Sequence, residues 1–431
     1  MVIPQAFGSL VFERGTSRYL PFDAEATARL GALAARGRDE VVAAEPDPTR
    51  RRAVLAFCDA FADRGFFTVD GYFRGATLPL TPPADHLAGP LATHVEIIAT
   101  CNLSCAHCFA APLPRREAAP LTLGELDALF AELASVGAFR LGLTGGEPLA
   151  RRDLFEIIDA ATARGLHPCL TTNGLLLDED AARALAQRDL VWLNVSLDGA
   201  TPETNDAVRG PGTFARVLDK ISLLRRAGAR FTLAFTVTSA NAAEADACAR
   251  LARDLGAHTA VFRPVYPAGA ARTHRALMPT FAQYTDALAR VERAVTPDGA
   301  LRAIDPFSPQ ARAATQARVV ANHGCGAANL TASVSVRGDV SPCSFLGPGF
   351  DGGTLRERSF LSIWNDSPAF ASMRALSRTL APGRFAGGCR ARSLVLAGDV
   401  DAADPWQLAH DGAAPAATRP PGYTLEVLAD G

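Results

Sequence analysis

Between residues 94 and 294 the sequence alternates six times between a short apolar stretch of strand type and an amphipathic stretch of helical type. The predicted strands are HVEIIAT, FRLGLTG, HPCLTTN, VWLNVSL, RFTLAFTV and TAVFRPV, and the predicted helices lie near 122–137, 151–164, 179–188, 213–227, 242–255 and 279–294. Strand–helix units with short connections predict a parallel sheet with its helices outside. Six units fall short of the eight that close a complete barrel, so we expect an α/β fold with a partial (β/α)6 TIM-type barrel over residues 92–305.

The first 80 residues have a different pattern. GSLVFER and RYLPF are strand candidates around the turn at Gly15, helices are predicted near Ala24–Ala35 and Thr49–Arg64, and a further strand is predicted within GFFTVDGYF. We therefore expect residues 1–80 to form a small α+β domain of winged-helix-like type. Residues 81–91 are rich in proline without periodicity and are interpreted as a linker.

Beyond residue 305 the alternation ends. Residues 306–410 contain frequent glycines and three separated cysteines, Cys325, Cys343 and Cys389, and we expect them to form a C-terminal domain. The last segment, residues 411–431, is rich in Ala, Pro and Gly and is predicted to be poorly ordered.

Composition limits the classes of partner. The 431 residues carry a net charge of −2, and no apolar run reaches about 18 residues. We therefore expect neither a nucleic-acid partner nor a membrane span. The first residues lack the basic and apolar regions of a signal peptide. Nine cysteines in a large chain indicate a reduced, cytoplasmic protein whose clustered cysteines bind metal rather than form disulfides.

Three of these cysteines, Cys101, Cys105 and Cys108, stand within eight residues directly after the first predicted barrel strand. In such folds reactive groups gather at the carboxyl ends of the strands. Structural zinc requires four closed ligands, and the adjacent side chains of His107 and Cys108 cannot easily converge on one ion, so zinc is disfavoured. A [4Fe–4S] cluster is held by thiolates, and three thiolates leave one of its four irons open for a substrate or cofactor.

A C-x3-C-x2-C loop after the first strand of a six-unit barrel resembles the radical S-adenosylmethionine (SAM) superfamily. The resemblance implies that the three cysteines are catalytic: they hold a [4Fe–4S] cluster whose open iron chelates the amino and carboxylate groups of SAM. It also implies that an electron from the reduced cluster cleaves a carbon–sulfur bond, giving methionine and a 5′-deoxyadenosyl radical that removes hydrogen from unactivated carbon. A reductant such as flavodoxin or ferredoxin is implied as a partner.

Further cofactor-binding residues follow from the same resemblance. In the GGEP turn that ends the second strand, the glycines let backbone approach the ligand, and Glu147 can accept a hydrogen bond from an ammonium group. For Asp198, a turn or helix-cap role before Gly199 fits equally well. The predicted cofactor-binding residues are His107, Gly145, Gly146, Glu147, Pro148, Thr172, Asn173, Ser196, Asp198 and Arg209.

The C-terminal segments HGCGAANLTASVSVRGDVSPCSFLG and GGCRARSLVLAGDVDAADPW resemble the SPASM or twitch extensions of peptide- and cofactor-modifying members. The resemblance implies one auxiliary Fe–S cluster on Cys325, Cys343 and Cys389, with its fourth site open or completed by another residue type. No CxxC pair precedes the Gly-Gly-Cys segment, and Trp406 follows the Asp-Pro where a cysteine is common, so we expect no second auxiliary cluster. The alternative is a metal-free domain.

The N-terminal hairpin and helices resemble the peptide-recognition element of ribosomal-peptide maturases, which binds a leader peptide by adding a strand to a sheet edge. The alternative is an unrelated accessory domain. Together these resemblances imply an enzyme that oxidatively modifies, and crosslinks, a ribosomally synthesised precursor peptide whose leader binds at the exposed edge of the hairpin. Modification of a small molecule or a tetrapyrrole of haem type is the alternative function.

Overall fold

The computed structural model describes residues 1–62, 64–111, 119–294, 303–304, 325–376 and 388–413. The chain divides into two compact units, of which the first comprises Met1–Ala88 with Ser135–Gly137 and the second begins at Gly89. Most of the segment predicted to be a poorly ordered tail, from residue 414 onward, lies outside the described residues. Within the part of the chain that is described, no helix combines the length and apolar character needed to cross a bilayer.

The first unit is an antiparallel sheet with two helices. Its elements are β1 (Val2–Gln5), β2 (Gly8–Glu13), β3 (Arg18–Asp23), α1 (Ala24–Ala43) and α2 (Pro48–Ala62). Asp23 caps α1 by accepting a hydrogen bond from Ala26 N, and the helix is kinked at Gly37, close to its predicted end. The prediction of a strand within GFFTVDGYF is wrong, because the described residues of this segment form only an isolated bridge, between Phe67 and Phe73.

The sheet order in this unit is β1-β2-β3, so the predicted hairpin strand β2 is central and offers no edge. The outer side of β1 is covered, since Val2 N donates to Ala76 O (2.7 Å) and Leu78 N donates to Val2 O (2.9 Å). No described residue pairs with the outer side of β3. In the strand order of the described residues β3 is therefore an outermost strand, and it is a narrower candidate site than the hairpin as a whole.

The second unit contains a ten-stranded sheet whose central strands follow chain order. The strands are β4 (Ala92–Ile98), β5 (Arg140–Gly145), β6 (His167–Thr172), β7 (Trp192–Ser196), β8 (Thr232–Val237), β9 (Thr259–Pro264), β10 (Ala303–Ile304), β11 (Thr331–Val334), β12 (Asp339–Ser341) and β13 (Gly353–Thr354). Strands β4 to β9 are the six predicted ones, and each is parallel to its neighbour. The predicted α/β class with a parallel six-unit barrel is confirmed.

Helices follow each of these six strands. They are α3 (Leu123–Ser135), α4 (Leu154–Ala163), α5 (Glu179–Ala186), α6 (Pro202–Arg209), α7 (Thr213–Arg226), α8 (Ala245–Asp254) and α9 (Phe281–Ala294), and beyond the barrel come α10 (Phe360–Asp366), α11 (Pro368–Leu376), α12 (Arg390–Ala397) and α13 (Pro405–Ala413). Short 3-10 helices span Pro148–Ala150, Ala242–Glu244, Gly269–Arg272 and Arg275–Leu277. The sequence interpretation missed α6, although Thr201 as a capping residue followed by Pro202 is an N-terminal helix signal.

The C-terminal region contributes strands to the same sheet. Strand β11 lies parallel to β4, with Ser333 opposite His94, and β12 and β13 continue antiparallel from it. On β4, Val95 and Ile97 are fully buried, whereas His94 faces the interior of the barrel. This alternation of side chains along parallel strands is what creates an interior wall distinct from the helix-packed face.

Candidate active site

The three-cysteine loop begins directly after β4 and is fixed by backbone hydrogen bonds on both sides. Gly146 N donates to Ile98 O (2.6 Å), and Glu147 N donates to Thr100 O (2.8 Å). At the other end, Ala106 N donates to Val208 O (2.9 Å) at the end of α6. The loop carrying Cys101, Cys105 and Cys108, hereafter the primary cysteines, is thereby held at the carboxyl ends of the barrel strands.

Gly145 and Gly146 are required by the protein's own backbone. A Cβ atom on Gly145 would lie 2.2 Å from Ile98 O, and one on Gly146 would lie 2.1 Å from Thr100 O. Gly145 also has a positive φ of 131°, which residues with side chains rarely adopt. These glycines therefore let the segment that leads to Cys101 pass close to the GGEP turn. Their contact with a ligand stays a prediction.

Glu147 connects the GGEP turn to the end of β6. Its side chain is 1% exposed. One carboxylate oxygen accepts from the Thr172 hydroxyl (2.6 Å) and from Leu149 N (3.0 Å), and the other accepts from Asn173 N (2.7 Å). Burial raises the pKa of Glu147, while these hydrogen bonds oppose the rise. Asn173 Nδ2 in turn donates to Cys101 Sγ (3.8 Å), which links the network to the primary cysteines. Pro148 is buried and begins the short helix that follows.

Asp198 is the buried centre of a second network. It has no exposed surface, and its Oδ2 lies 2.6 Å from Arg209 Nε and 3.1 Å from His107 Nε2. Its Oδ1 accepts from Thr236 N (2.7 Å). Burial alone would raise the pKa of Asp198, but Arg209 and His107 hold it well below the usual range, so the carboxylate is ionised. Of the two roles left open by the sequence, helix capping does not apply to α6, which is capped by Thr201.

The other three predicted ligands, Cys325, Cys343 and Cys389, hereafter the auxiliary cysteines, come from three separate segments. Burial raises the pKa of Cys343, and it raises that of Cys389 to about 11, with the Cys325 thiol contributing to both. Asp404 accepts hydrogen bonds from Cys389 N (2.6 Å) and from the Arg392 guanidinium. Cys325 and Cys389 both act electrostatically on Cys343, as expected of three thiols that lie near one another. Soft thiol ligands of this kind suit an Fe–S cluster.

A cavity of about 530 Å³ occupies the barrel interior beside the primary cysteines. Pro148 and Asp198 do not line it, and neither do the auxiliary cysteines, although Ser344 and Phe345 beside Cys343 do. The predicted residues that do line it are Cys101, Cys105, His107, Cys108, Gly145, Gly146, Glu147, Thr172, Asn173, Ser196 and Arg209.

The sequence interpretation missed several residues that line this barrel cavity. They are His94, Arg140, Trp192, Asn194, Arg263 and Tyr266. All but Tyr266 lie within predicted strands, at alternate positions that face inward, and this period of two is the signal that could have found them. Tyr266 stacks on Phe345 with ring centroids 4.3 Å apart, which joins the cavity wall to the segment after Cys343.

A parallel partial barrel with three thiols on the loop after its first strand is the arrangement of enzymes that bind an iron–sulfur cluster and SAM. The Radical SAM superfamily model matches residues 95–252, and the model of SPASM, an iron-sulfur cluster-binding domain, matches residues 325–390. The chain belongs to the radical SAM superfamily and is an enzyme. Both families imply iron–sulfur clusters.

Three relatives have comparable similarity. Mycofactocin maturase MftC from Mycobacterium ulcerans is 31% identical over 333 residues, covering 74% of this chain and 88% of the relative. PqqA peptide cyclase from Methylocella silvestris is 31% identical, covering 74% and 87%, respectively. AdoMet-dependent heme synthase from Methanosarcina barkeri is also 31% identical, covering 74% and 96%.

A solved structure shows the same fold. Streptococcus suis SuiB bound to the precursor peptide SuiA superposes with a TM-score of 0.64 at 15% identity, covering 87% of this chain and 89% of SuiB. At this level of identity the likeness concerns the fold alone.

Proposed function

We propose that this chain is a maturase that oxidatively modifies a ribosomally synthesised precursor peptide in the cytoplasm. The observation that carries the proposal is the similarity, over 74% of the chain, to a mycofactocin maturase and a PqqA peptide cyclase. The barrel cavity beside the primary cysteines gives such a peptide a place to meet the reactive loop. The most economical product is a crosslink within the peptide.

The donor set at the primary site fits a cluster with an open iron. The primary cysteines would hold a [4Fe–4S] cluster, and with SAM bound this cluster supplies the 5′-deoxyadenosyl radical that starts the reaction. Ionised Asp198 keeps the Arg209 guanidinium charged and oriented, and Arg209 can then meet the carboxylate of SAM. His107 Nδ1 is buried and has no hydrogen-bond partner among the described residues, so it is available to a ligand such as the adenine. The wall of the barrel cavity next to these groups also includes Thr172, Asn173 and Ser196.

The auxiliary cysteines would hold one further Fe–S cluster, whose fourth site is open or completed by a non-cysteine residue. Such a cluster supplies an electron acceptor, which makes the modification oxidative. Asp404 and Arg392 fix the Cys389 loop, and Trp406, at the position where a cysteine would serve a second cluster, is 7% exposed beneath Arg392. A flavodoxin or ferredoxin would supply the electron that starts turnover.

The first unit would bind the leader of the precursor. Strand β3 is an outermost strand of the described three-stranded sheet, and an extended peptide can add to such an edge through its backbone groups. Deleting residues 1–80 should therefore weaken binding of labelled precursor without changing cleavage of SAM. If the truncated protein modifies full-length precursor as efficiently as the intact chain, leader binding by this unit is wrong.

The test of the whole proposal is anaerobic reconstitution followed by chromatography for 5′-deoxyadenosine, with mass spectrometry of a co-expressed short peptide encoded beside this chain's gene. A mass loss of two hydrogens per modification is expected for an oxidative crosslink. Cleavage of SAM with no change in any such peptide would contradict the peptide assignment.

The tetrapyrrole alternative rests on the heme synthase relative, which matches over 96% of its own length. The two functions are separated by adding a haem-type porphyrin or a precursor peptide to the reconstituted enzyme. A changed porphyrin mass with an unchanged peptide would favour the alternative.

A further inference from the structure

The wall of the barrel cavity carries more positive than negative charge. Arg140 on β5 and Arg263 on β9 both line it. Of the described residues that line the cavity, Glu147 is the only one with a carboxylate, and it already accepts three hydrogen bonds from the protein. Arg209 is balanced by Asp198 at 2.6 Å. Arg263 has no such counter-charge among the described residues.

Arg263 on β9 is a cationic side chain in the cavity wall that lacks a counter-charge among the described residues. Its neighbour on β9, Phe262, is 1% exposed and does not line the cavity, so the alternation of the strand directs Arg263 inward. No described residue forms an ion pair or accepts a hydrogen bond from its guanidinium. Desolvation first, and then the charge of Arg263, lowers the pKa of His94 to about 4, so that this imidazole is neutral at pH 7. His94 therefore offers Arg263 a neutral donor and acceptor rather than an anion.

Asn194 on β7 adds an acceptor to the same cavity. Its side chain is 8% exposed, and its Nδ2 donates to the Thr171 hydroxyl (3.2 Å). Its Oδ1 is buried and has no hydrogen-bond partner among the described residues. A buried acceptor without a hydrogen bond is unfavourable in free energy, so a ligand that donates a hydrogen bond to this oxygen would be stabilised. An amide N–H is such a donor, and peptides carry one at nearly every residue.

We propose that Arg263 and Asn194 form a substrate subsite for a peptide residue that bears a carboxylate: Arg263 pairs with the carboxylate and Asn194 accepts from a backbone N–H. Trp192 supplies an apolar wall beside them. The subsite deepens the proposed function and rests on it for the identity of the substrate as a peptide. An acidic side chain and a C-terminal carboxylate share this chemistry.

The test uses three probes that differ in whether and where they carry a carboxylate: N-acetylglutamic acid α-amide, N-acetylglutamine and N-acetylglutamine α-amide. The first carries a side-chain carboxylate, the second a terminal one and the third none. Ligand-observed saturation-transfer NMR on the reconstituted full chain measures their dissociation constants. We expect one charged probe to bind at least tenfold more tightly than the neutral probe, and which one does so identifies the source of the carboxylate.

Variants assign the effect to the two side chains. Arg263→Gln should abolish the preference for charge, Arg263→Lys should retain part of it, and Asn194→Leu should weaken all three probes alike. Arg216→Gln is the matched control, because Arg216 is exposed on α7 outside the barrel. Affinity for SAM should be unchanged in Arg263→Gln, which also shows that the variant is folded.

Equal binding of the three probes, or a charge preference that survives Arg263→Gln, overturns the subsite. A tenfold loss of SAM affinity in Arg263→Gln would assign the arginine to the cofactor instead, and this too contradicts the proposal. Probe binding needs no turnover, so a chain that binds carboxylates but modifies no peptide refutes the proposed function alone. A chain that modifies peptides without this preference refutes the subsite alone.

Discussion

The primary and the auxiliary cysteines differ in how the fold brings them together. The primary cysteines stand within eight residues on one loop, whereas the auxiliary cysteines come from segments that precede β11, follow β12 and begin α12. Each set is nevertheless supported by a buried aspartate that pairs with an arginine, Asp198 with Arg209 and Asp404 with Arg392. Arg209 lines the barrel cavity, while Arg392 is 1% exposed and is covered by Trp406. Arg209 is thus accessible from the cavity, whereas Arg392 is enclosed by protein.

The largest difference is expected when each cysteine set is removed. Replacing the primary cysteines by alanine should abolish formation of 5′-deoxyadenosine, because no other thiol lies on the loop that β4 and the GGEP turn hold in place. Chromatography after anaerobic reconstitution measures the loss. Cys58→Ala is a control, since it removes a buried thiol from the first unit. Persistent cleavage in the triple variant would show that the primary cysteines are not the reactive ligands.

Removing the auxiliary cysteines should have a smaller effect of a different kind. The triple alanine variant should still cleave SAM, yield no modified peptide, and hold about half the iron of the intact chain, as expected if each set binds one cluster of similar size. Iron analysis and 5′-deoxyadenosine production on the same sample give both results. Equal iron in the two proteins would favour the metal-free alternative for the C-terminal region.

The aspartates should separate stability from ligand binding. Asp198→Asn and Asp404→Asn each leave a buried arginine without its counter-charge, so each should lower the free energy of unfolding by about 3–5 kcal/mol. Only Asp198→Asn should also weaken SAM binding, because only its arginine lines the barrel cavity. Urea unfolding and calorimetry measure the two quantities.

Asp127→Asn is the matched control for these two variants. Asp127 pairs with Arg164 at the surface, where both side chains are more than one third exposed, so its loss should cost about 1 kcal/mol or less. Equal loss of SAM affinity in Asp198→Asn and Asp404→Asn would contradict the inference that Arg209 contacts SAM and Arg392 does not.

Much of the barrel and of the primary site could be predicted because the signals are local. Apolar alternation within single segments located all six barrel strands, and C-x3-C-x2-C lies within one loop. The SPASM-like segments were also recognisable locally. What escaped prediction depends on pairing between distant segments: β11 beside β4, β2 as a central strand, and Asp198 beside His107 and Arg209. The spacing of residues along the sequence does not indicate which distant segments lie side by side in the fold.

The glycines illustrate the same limit. The GGEP motif indicated a close backbone approach at Gly145 and Gly146, which the structure has, but the approaching partner is the segment Ile98–Thr100. Likewise, period-two patterning places Arg263 and Asn194 on the inward face of their strands, but it does not show that this face encloses a cavity. That face becomes the wall of a cavity only because the sheet curves into a partial barrel.

The smallest effect expected is the pH dependence of iron loading. A thiol must lose its proton to become a ligand, so a raised pKa means that loading releases a proton and becomes more favourable as pH rises toward that pKa. Burial raises the pKa of Cys105 to about 11 in the primary set, and in the auxiliary set it raises the pKa of Cys389 to about 11 and that of Cys343 as well. Each such proton adds up to about tenfold in apparent affinity per pH unit below the pKa. The variant that retains only the auxiliary cysteines should therefore gain affinity for iron more steeply between pH 7 and pH 9 than the variant that retains only the primary ones. Chelator competition at fixed iron and sulfide measures both slopes. A steeper slope for the primary set would contradict the larger number of raised thiol pKa values in the auxiliary set.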